Sequence, residues 1–292
     1  MPRATKQLPD ARRRRIRRRI LKSRNKKNVL TDLPDVQSEA DLREMPIDKV
    51  GVNGVKYPVT VLDKADKKQR TIADIDMYVD LPKCFRGTHM SRFLEILNEH
   101  RGLITMLNVD RILKKMQKKF GARSAHFSMK FTYFIEKISP VSRIKSLLNY
   151  DCEFISSYTD DLDFVLGVSI PVNTLCPCSK EISAYGAHNQ RSFINIHARF
   201  NDFIWIEDIV KIAERSASSP IYSLLKRSDE KYLTEMSYQN PRFVEDVVRE
   251  AAVELDRDEN ITWFTVEVIN MESIHAHNAY AIIKKDKRTR VK

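Results

Sequence analysis

The chain has 292 residues, 42% of them hydrophobic, with 51 Lys and Arg against 39 Asp and Glu and a formal net charge of +12. That length supports one large domain or two modules of about 130 residues, each with a buried core. No apolar run reaches the roughly 18 residues that span a bilayer, the first thirty residues hold no secretory h-region, and 4 cysteines do not make a disulfide scaffold; together these point to a reducing cytosol, so a cytoplasmic protein is expected.

The charge is local. Residues 1–30 hold 13 Lys or Arg and one acid, Asp10, which accounts for the whole excess and leaves the remainder neutral. A like-charge block repels itself and cannot bury enough apolar surface to order, so a disordered arm is expected there. It is either a solvated extension or a segment that binds RNA or another polyanion by releasing counterions. Residues 31–56 read as a polar leader, and the basic residues from 287 to 292 as a solvated tail.

Regular patterning follows. Tyr57–Leu62 and Arg70–Leu81 read as strands, the second with Ile75, Met77, Val79 and Leu81 on one face. Two helices come next. Thr88–Asn98 places Met90, Phe93, Leu94 and Leu97 on one side; the other carries Val109, Ile112, Leu113, Met116 and Phe120 between Asn108 as N-cap and Gly121 as terminator. Strands return at Ala125–Ile135 and Tyr150–Tyr158. The order then recurs: strands Leu162–Val172 and Arg191–Phe200, helices Ile206–Ser216 and Pro241–Leu255 (Asn240 as N-cap), strands Ile261–Asn270 and Ala276–Lys285. Hairpin-linked strands with helices grouped between them predict an α+β fold with antiparallel sheets, divided into modules at 57–158 and 159–286. Two long connections interrupt the second half, Asn173–Gln190 and Ala217–Gln239, and long connections in compact domains are functional or disordered.

The first connection holds Cys176 and Cys178 around a proline, with His188 ten residues on. Thiolate and imidazole are ligands that Zn²⁺ favours, and the absence of a second Cys pair would leave a coordination position for water. Alternatively the two cysteines are small buried hydrophobes and His188 an ordinary loop histidine. In the second connection Asp229 and Glu230 read as solvated surface acids on spacing alone. Glu245 sits at the edge of the apolar stripe of the last helix. His275 and His277, between the last two strands, share one face at strand spacing. His89 and Arg92 open the first helix, where phosphate would be favoured, or are plain surface polars. No Walker A, G-x-G-x-x-G, H-E-x-x-H or G-x-S-x-G motif occurs, and 7 glycines in all make a glycine cradle for phosphate a poor expectation.

Several segments, in order, resemble the type IB GTP cyclohydrolase I family: Leu33-Pro-Asp-Val-Gln37, Gly87-Thr-His-Met-Ser-Arg92, Pro140-Val-Ser, Lys145-Ser-Leu-Leu-Asn-Tyr150, Pro171-Val-Asn-Thr-Leu-Cys-Pro-Cys-Ser-Lys180 and His188-Asn-Gln-Arg191. The resemblance covers about residues 33 to 285; Leu33 departs from the commoner Met. It implies tandem tunnelling-fold modules, each a four-stranded antiparallel sheet with two helices on one face, assembled as a homotetramer with sites at subunit interfaces. It implies a hydrolase acting on C–N bonds of cyclic amidines, converting GTP to 7,8-dihydroneopterin triphosphate and formate, the first step of tetrahydrofolate synthesis. One divalent ion per site (Zn, Mn or Fe) is implied, on Cys176, His188 and Glu230, with Glu245 anchoring the purine and His275 catalytic. Cys178 would assist proton transfer or support its neighbour; Lys180, Arg191, His89 and Arg92 are candidates for the triphosphate. Two alternatives stand beside this reading: the related archaeal-type cyclohydrolase, which yields a dihydroneopterin cyclic phosphate, and an RNA-binding protein acting through the basic arm.

Overall fold

The computed structural model describes residues 35–100 and 104–288; the basic arm lies outside them. The described residues divide into two units, one of residues 35–50 and 80–89, the other of residues 51–79, 90–100 and 104–288. In the smaller unit a 3-10 turn at Val36–Ser38 precedes an antiparallel bridge between Ala40 and Phe85. There the Arg86 guanidinium meets Glu39 at 2.5 Å, and the Gly87 N–H donates to the Gln37 carbonyl at 3.1 Å.

The strands are β1 (Ile47–Asp63), β2 (Lys67–Leu81), β3 (Ala125–Ile138), β4 (Lys145–Tyr158), β5 (Leu162–Leu175), β6 (Asn189–Phe200), β7 (Ser219–Pro220), β8 (Ile261–Asn270) and β9 (Ala279–Asp286). The helices are α1 (Ser91–Glu99), α2 (Val109–Phe120), α3 (Pro177–Ile182), α4 (Ile206–Ser216), α5 (Arg227–Gln239) and α6 (Val244–Arg257). The strands form one sheet in the order β1-β2-β3-β4-β5-β6-β8-β9, with β7 paired to β5. The fold is thus α+β, as expected. β4 pairs directly with β5, from Asp151↔Ser169 to Tyr158↔Leu162, so the sheet is continuous.

Alternation decides what the sheet covers. Ile75, Met77, Phe127, Met129, Tyr150, Phe154, Ile170, Ile194, Ile196, Val266 and Val268 point to one face and are buried. Onto them α2 packs at β3 and β4, α4 at β5, and α6 at β8 and β9. Each such fully buried apolar side chain contributes about 1.5–3 kcal/mol. Gly121 closes α2 in the left-handed region (φ 63°), as its place after the apolar stripe predicts. The opposite face is polar and lines a cavity of ≈ 540 Å³ that includes Asp74, Asp151, Glu153, Asn195, His197 and Glu267. At Gly167 a Cβ would lie 2.6 Å from Glu153 Cγ, so only glycine lets Glu153 and His197 meet at 2.6 Å.

Three expectations are corrected, the first being the leader at 31–56: β1 starts inside it, at Ile47. Residues 217–239 are largely a helix, α5, because its buried side chains are Asp229, Leu233 and Ser237, and one leucine leaves no apolar period to read. The last helix begins at Val244, not Pro241. Asn240 instead ends α5, its N–H donating to the Met236 carbonyl at 3.0 Å, while its side-chain amide donates to the carbonyls of Ala217 (3.0 Å) and Ser218 (3.3 Å). Among the described residues no helix is long and apolar enough to cross a membrane.

A charged pair ties the sheet to α4. Lys137 Nζ lies 2.5 Å from Glu214 Oε1, with side-chain exposures of 9% and 16%. It also donates to the Ile221 carbonyl at 2.8 Å, and the Tyr150 hydroxyl donates to Glu214 Oε1 at 3.0 Å. Burial pushes the Lys137 ammonium down, and Glu214 opposes that shift. Removing one partner leaves the other charge buried alone, so Glu214→Ala should cost about 3–5 kcal/mol in denaturant unfolding. Lys137→Met combined with Glu214→Leu should recover most of that loss, since both charges are then gone.

Candidate active site

The site begins with a register. Antiparallel β5 and β6 pair Leu175 with Asn189, and one step beyond, the Cys176 N–H donates to the His188 carbonyl at 3.1 Å. Thiol and imidazole, twelve residues apart, are thereby neighbours across two strand ends. Cys176 is the N-cap of α3 with Pro177 at the first position, and its sulfur accepts the Ser179 N–H at 3.4 Å. Ser179 Oγ in turn accepts the His188 N–H at 3.2 Å. Cys176 and His188 are half-buried; Cys178 is exposed.

His188 presents one free nitrogen. Its Nδ1 lies 3.1 Å from Gln190 Oε1 and 3.4 Å from Ser273 Oγ, while Nε2 has no hydrogen-bond partner among the described residues. Ser273 belongs to the β8–β9 connection, which is held by the Met271 N–H donating to the Arg191 carbonyl at 2.9 Å. His275, two residues on, is exposed, and its ring stacks on His277 at 5.1 Å. Both lie in bends ahead of β9, which starts at Ala279, so strand alternation does not set their stacking.

The start of α6 reaches the same place. The Arg242 N–H donates to the Leu175 carbonyl at 3.0 Å, the Arg242 Nε–H donates to Asn240 Oδ1 at 3.1 Å, and the Leu175 N–H donates to Ser218 Oγ at 3.0 Å. Glu245, in the first turn of α6, therefore stands about one turn from the residue that precedes Cys176. Its carboxylate is exposed.

Glu230 is placed differently. Its neighbour Asp229, expected on the surface, is fully buried. Asp229 Oδ1 accepts the N–H groups of Val141 and Ser142, each at 2.8 Å, and Oδ2 accepts the Ser142 hydroxyl at 2.6 Å and the Lys226 N–H at 2.9 Å. Burial alone would raise this carboxyl, but the bonds from Ser142, Lys226 and Val141 overcome it and hold the group well below the usual carboxylate range. Asp229 thus pins the N-terminus of α5 to the β3–β4 turn, and Glu230 projects exposed beside it. The other end of α5 is fixed by Lys180, whose ammonium donates to the Tyr238 carbonyl at 2.6 Å and lies 4.5 Å from the Tyr238 ring centre. Glu230 and Tyr238 are separated along the helix by about 12 Å.

One chain therefore gathers Cys176, His188 and the segments bearing Glu245 and His275, but not Glu230. Among the described residues no group of three or more His, Cys, Asp or Glu side chains is placed to hold a metal ion. Cys176 and the free Nε2 of His188 fit two ligand positions of the expected donor set. Of the triphosphate candidates, Lys180 is engaged with α5; Arg191 is exposed without a side-chain partner among the described residues; Arg92 is half-buried in the first turn of α1; His89, in the smaller unit, lies 3.4 Å from Asp35. Sequence reasoning missed Gln190, Ser273 and Arg242, none of which carries a signal of its own in spacing or type, and took Asn240 only for an N-cap.

Residues 33–281 match the family model for type I GTP cyclohydrolase folE2. The chain is 56% identical over 257 residues to the GTP cyclohydrolase FolE2 of Citrifermentans bemidjiense, covering 88% of this chain and 96% of that one. Against the FolE2 of Kosmotoga olearia it is 52% identical over 253 residues, covering 87% and 98%. Among solved structures, urate oxidase from Bacillus subtilis 168 superposes with a TM-score of 0.49 at 7% identity, covering 82% of this chain and 99% of that one. The FolE2 relatives define a hydrolase that acts on GTP. The chain belongs to the type I GTP cyclohydrolase family, FolE2 branch. Neither the archaeal-type enzyme nor an RNA-binding role is favoured by these relatives.

A carboxyl held below its unfolded value of about 3.9 stabilises the fold above that pH, and the contribution fades as pH falls toward the folded value. Asp229→Asn should therefore lag wild type by a constant margin between about pH 8 and 5. The margin should close below about pH 4, as read from urea midpoints.

Proposed function

We propose that this protein is a GTP cyclohydrolase I that converts GTP and water to 7,8-dihydroneopterin triphosphate and formate, opening the route to tetrahydrofolate. The observation that carries the reading is the meeting of Cys176 with a His188 whose Nε2 is unoccupied, beside the first turn of α6. Glu245 accepts the guanine N1–H and N2 amino hydrogens; adenine lacks that pair of donors and would leave the carboxylate unsatisfied. His275 moves a proton at N7 or N9 as the purine's imidazole ring opens, since a histidine side chain can both take up and release a proton. Cys178 supports Cys176 or relays a proton, and Arg191 and Arg92 meet the triphosphate, with His89 as a third candidate.

Cys176, His188 and Glu230 would hold one divalent ion (Zn, Mn or Fe), which supplies hydroxide from bound water at neutral pH. Since the described residues of one chain bring no third His, Cys, Asp or Glu side chain to the Cys–His pair, a second copy would bring Glu230. A homotetramer built from tandem tunnelling-fold modules, residues 57–158 and 159–286, accounts for that and for the exposure of Glu230, Glu245 and His275. All four cysteines are free thiols, which suits a cytoplasmic setting.

Purified protein with GTP should release formate and a fluorescent pterin that retains three phosphates. Turnover should stop on chelation and resume when metal is restored. Glu245→Ala removes two charged hydrogen bonds, about 3–6 kcal/mol, so kcat/KM should fall roughly 10²–10⁴-fold with metal content unchanged. Cys176→Ala and Glu230→Ala should each be inactive alone. Dissociated and reassembled together in equal amounts, they should regain activity at about a quarter of the sites, because those interfaces carry both intact residues. No regain would place the two ligands on one chain.

A further inference from the structure

His188 is backed by a buried line of polar side chains that the reaction itself does not require. Asn270, Ser192, Thr174 and Gln190 are 3%, 0%, 0% and 6% exposed. They are neighbours through the sheet: Thr174 pairs with Gln190 across β5 and β6, and Ser192 with Asn270 across β6 and β8. The polarity of the line can be followed one proton at a time. Ser192 Oγ donates to Asn270 Oδ1 at 2.8 Å, which uses its only proton. In the Thr174–Ser192 contact of 2.7 Å, Thr174 must then donate. With its own proton spent, Thr174 Oγ1 accepts from Gln190 Nε2 at 2.9 Å. That turns Gln190 Oε1 toward His188 Nδ1 at 3.1 Å, and a carbonyl oxygen can only accept.

We propose that Gln190 is a positioning residue: its side-chain carbonyl, oriented by Thr174, Ser192 and Asn270, fixes His188 as the Nδ1–H tautomer and leaves the Nε2 lone pair bare beside Cys176. In a neutral imidazole one nitrogen carries the proton and the other the lone pair, so the hydrogen bond on one side decides what the other side can do. Both uses of His188, as a ligand or as a proton acceptor, need the lone pair at Nε2. The Thr174 and Ser192 hydroxyls at its centre are fully buried, so the bonds that orient Gln190 are shielded from water. The tautomer assignment stands on the hydrogen bonds alone; its consequence for the metal rests on the function proposed above.

The test is ¹⁵N NMR of the full-length, histidine-labelled protein freed of metal, at a pH where the imidazole is neutral, with the His188 signal identified by its loss in His188→Asn. Wild type should give the Nδ1–H pattern. Gln190→Leu should lose it, and Gln190→Glu, which still offers Nδ1 an oxygen, should keep it. An Nε2–H pattern in wild type, or a pattern unchanged by Gln190→Leu, overturns the proposal. Zinc titration against a competing chelator gives the second readout: Gln190→Leu should bind tenfold to a hundredfold more weakly, with Gln190→Glu restoring affinity. A changed tautomer with unchanged zinc affinity upholds the role of Gln190 and removes His188 from the metal ligands. Wild-type spectra decide the tautomer even if Gln190→Leu fails to fold.

Discussion

The register between β5 and β6 is the constraint on which the site depends. It sets Leu175 opposite Asn189, which brings the Cys176 backbone to His188 and aligns Thr174 with Gln190. Because side chains alternate across a strand, a slip of one residue would send Gln190 and Ser192 to the other face and dissolve the buried line behind His188. The burial of alternate residues along β6, from Gln190 through Ser192, Ile194 and Ile196, makes such a slip costly. Core packing thus secures the alignment of two polar residues at the sheet's end.

The remaining functional groups are delivered by tethers. Arg242 carries the first turn of α6, and with it Glu245, to Leu175 through one backbone hydrogen bond. Met271 and Ser273 bring the connection bearing His275 alongside His188. Asp229 and Lys180 hold the two ends of α5, and so fix where Glu230 emerges. None of these tethers need touch substrate, yet each sets the position of a side chain that would.

What the sequence discloses follows from how each segment is stabilised. Ile206–Ser216 and Ile261–Asn270 are read to the residue because apolar side chains alone decide their faces. Residues 227–239 are not, since the buried side chains of α5 are one carboxylate, one serine and a single leucine, and polar residues carry no periodic signal. Pro241 marks a helix start by type, but the Arg242 N–H is committed to Leu175 and the helix waits until Val244. Cys176 and His188 are legible as partners because they share one loop. The distance of Glu230 from them is not, because it depends on the path of α5. Gln190 is silent for another reason: its importance lies in which way one amide points, and that is settled by three residues on two other strands and its own.

Sheet order also sets a sequence of events in folding. The pairs β3–β4, β4–β5 and β5–β6 join strands adjacent in the chain, so each closes a short loop. The β6–β8 pair must wait for residues 201–260 to be gathered in, and loop-closure entropy makes such non-local contacts slow. The hairpin that unites Cys176 with His188 therefore assembles early, and Asn270 arrives last. Until that strand docks, the hydroxyls of Thr174 and Ser192 are free to turn, and the imidazole they orient is left undecided.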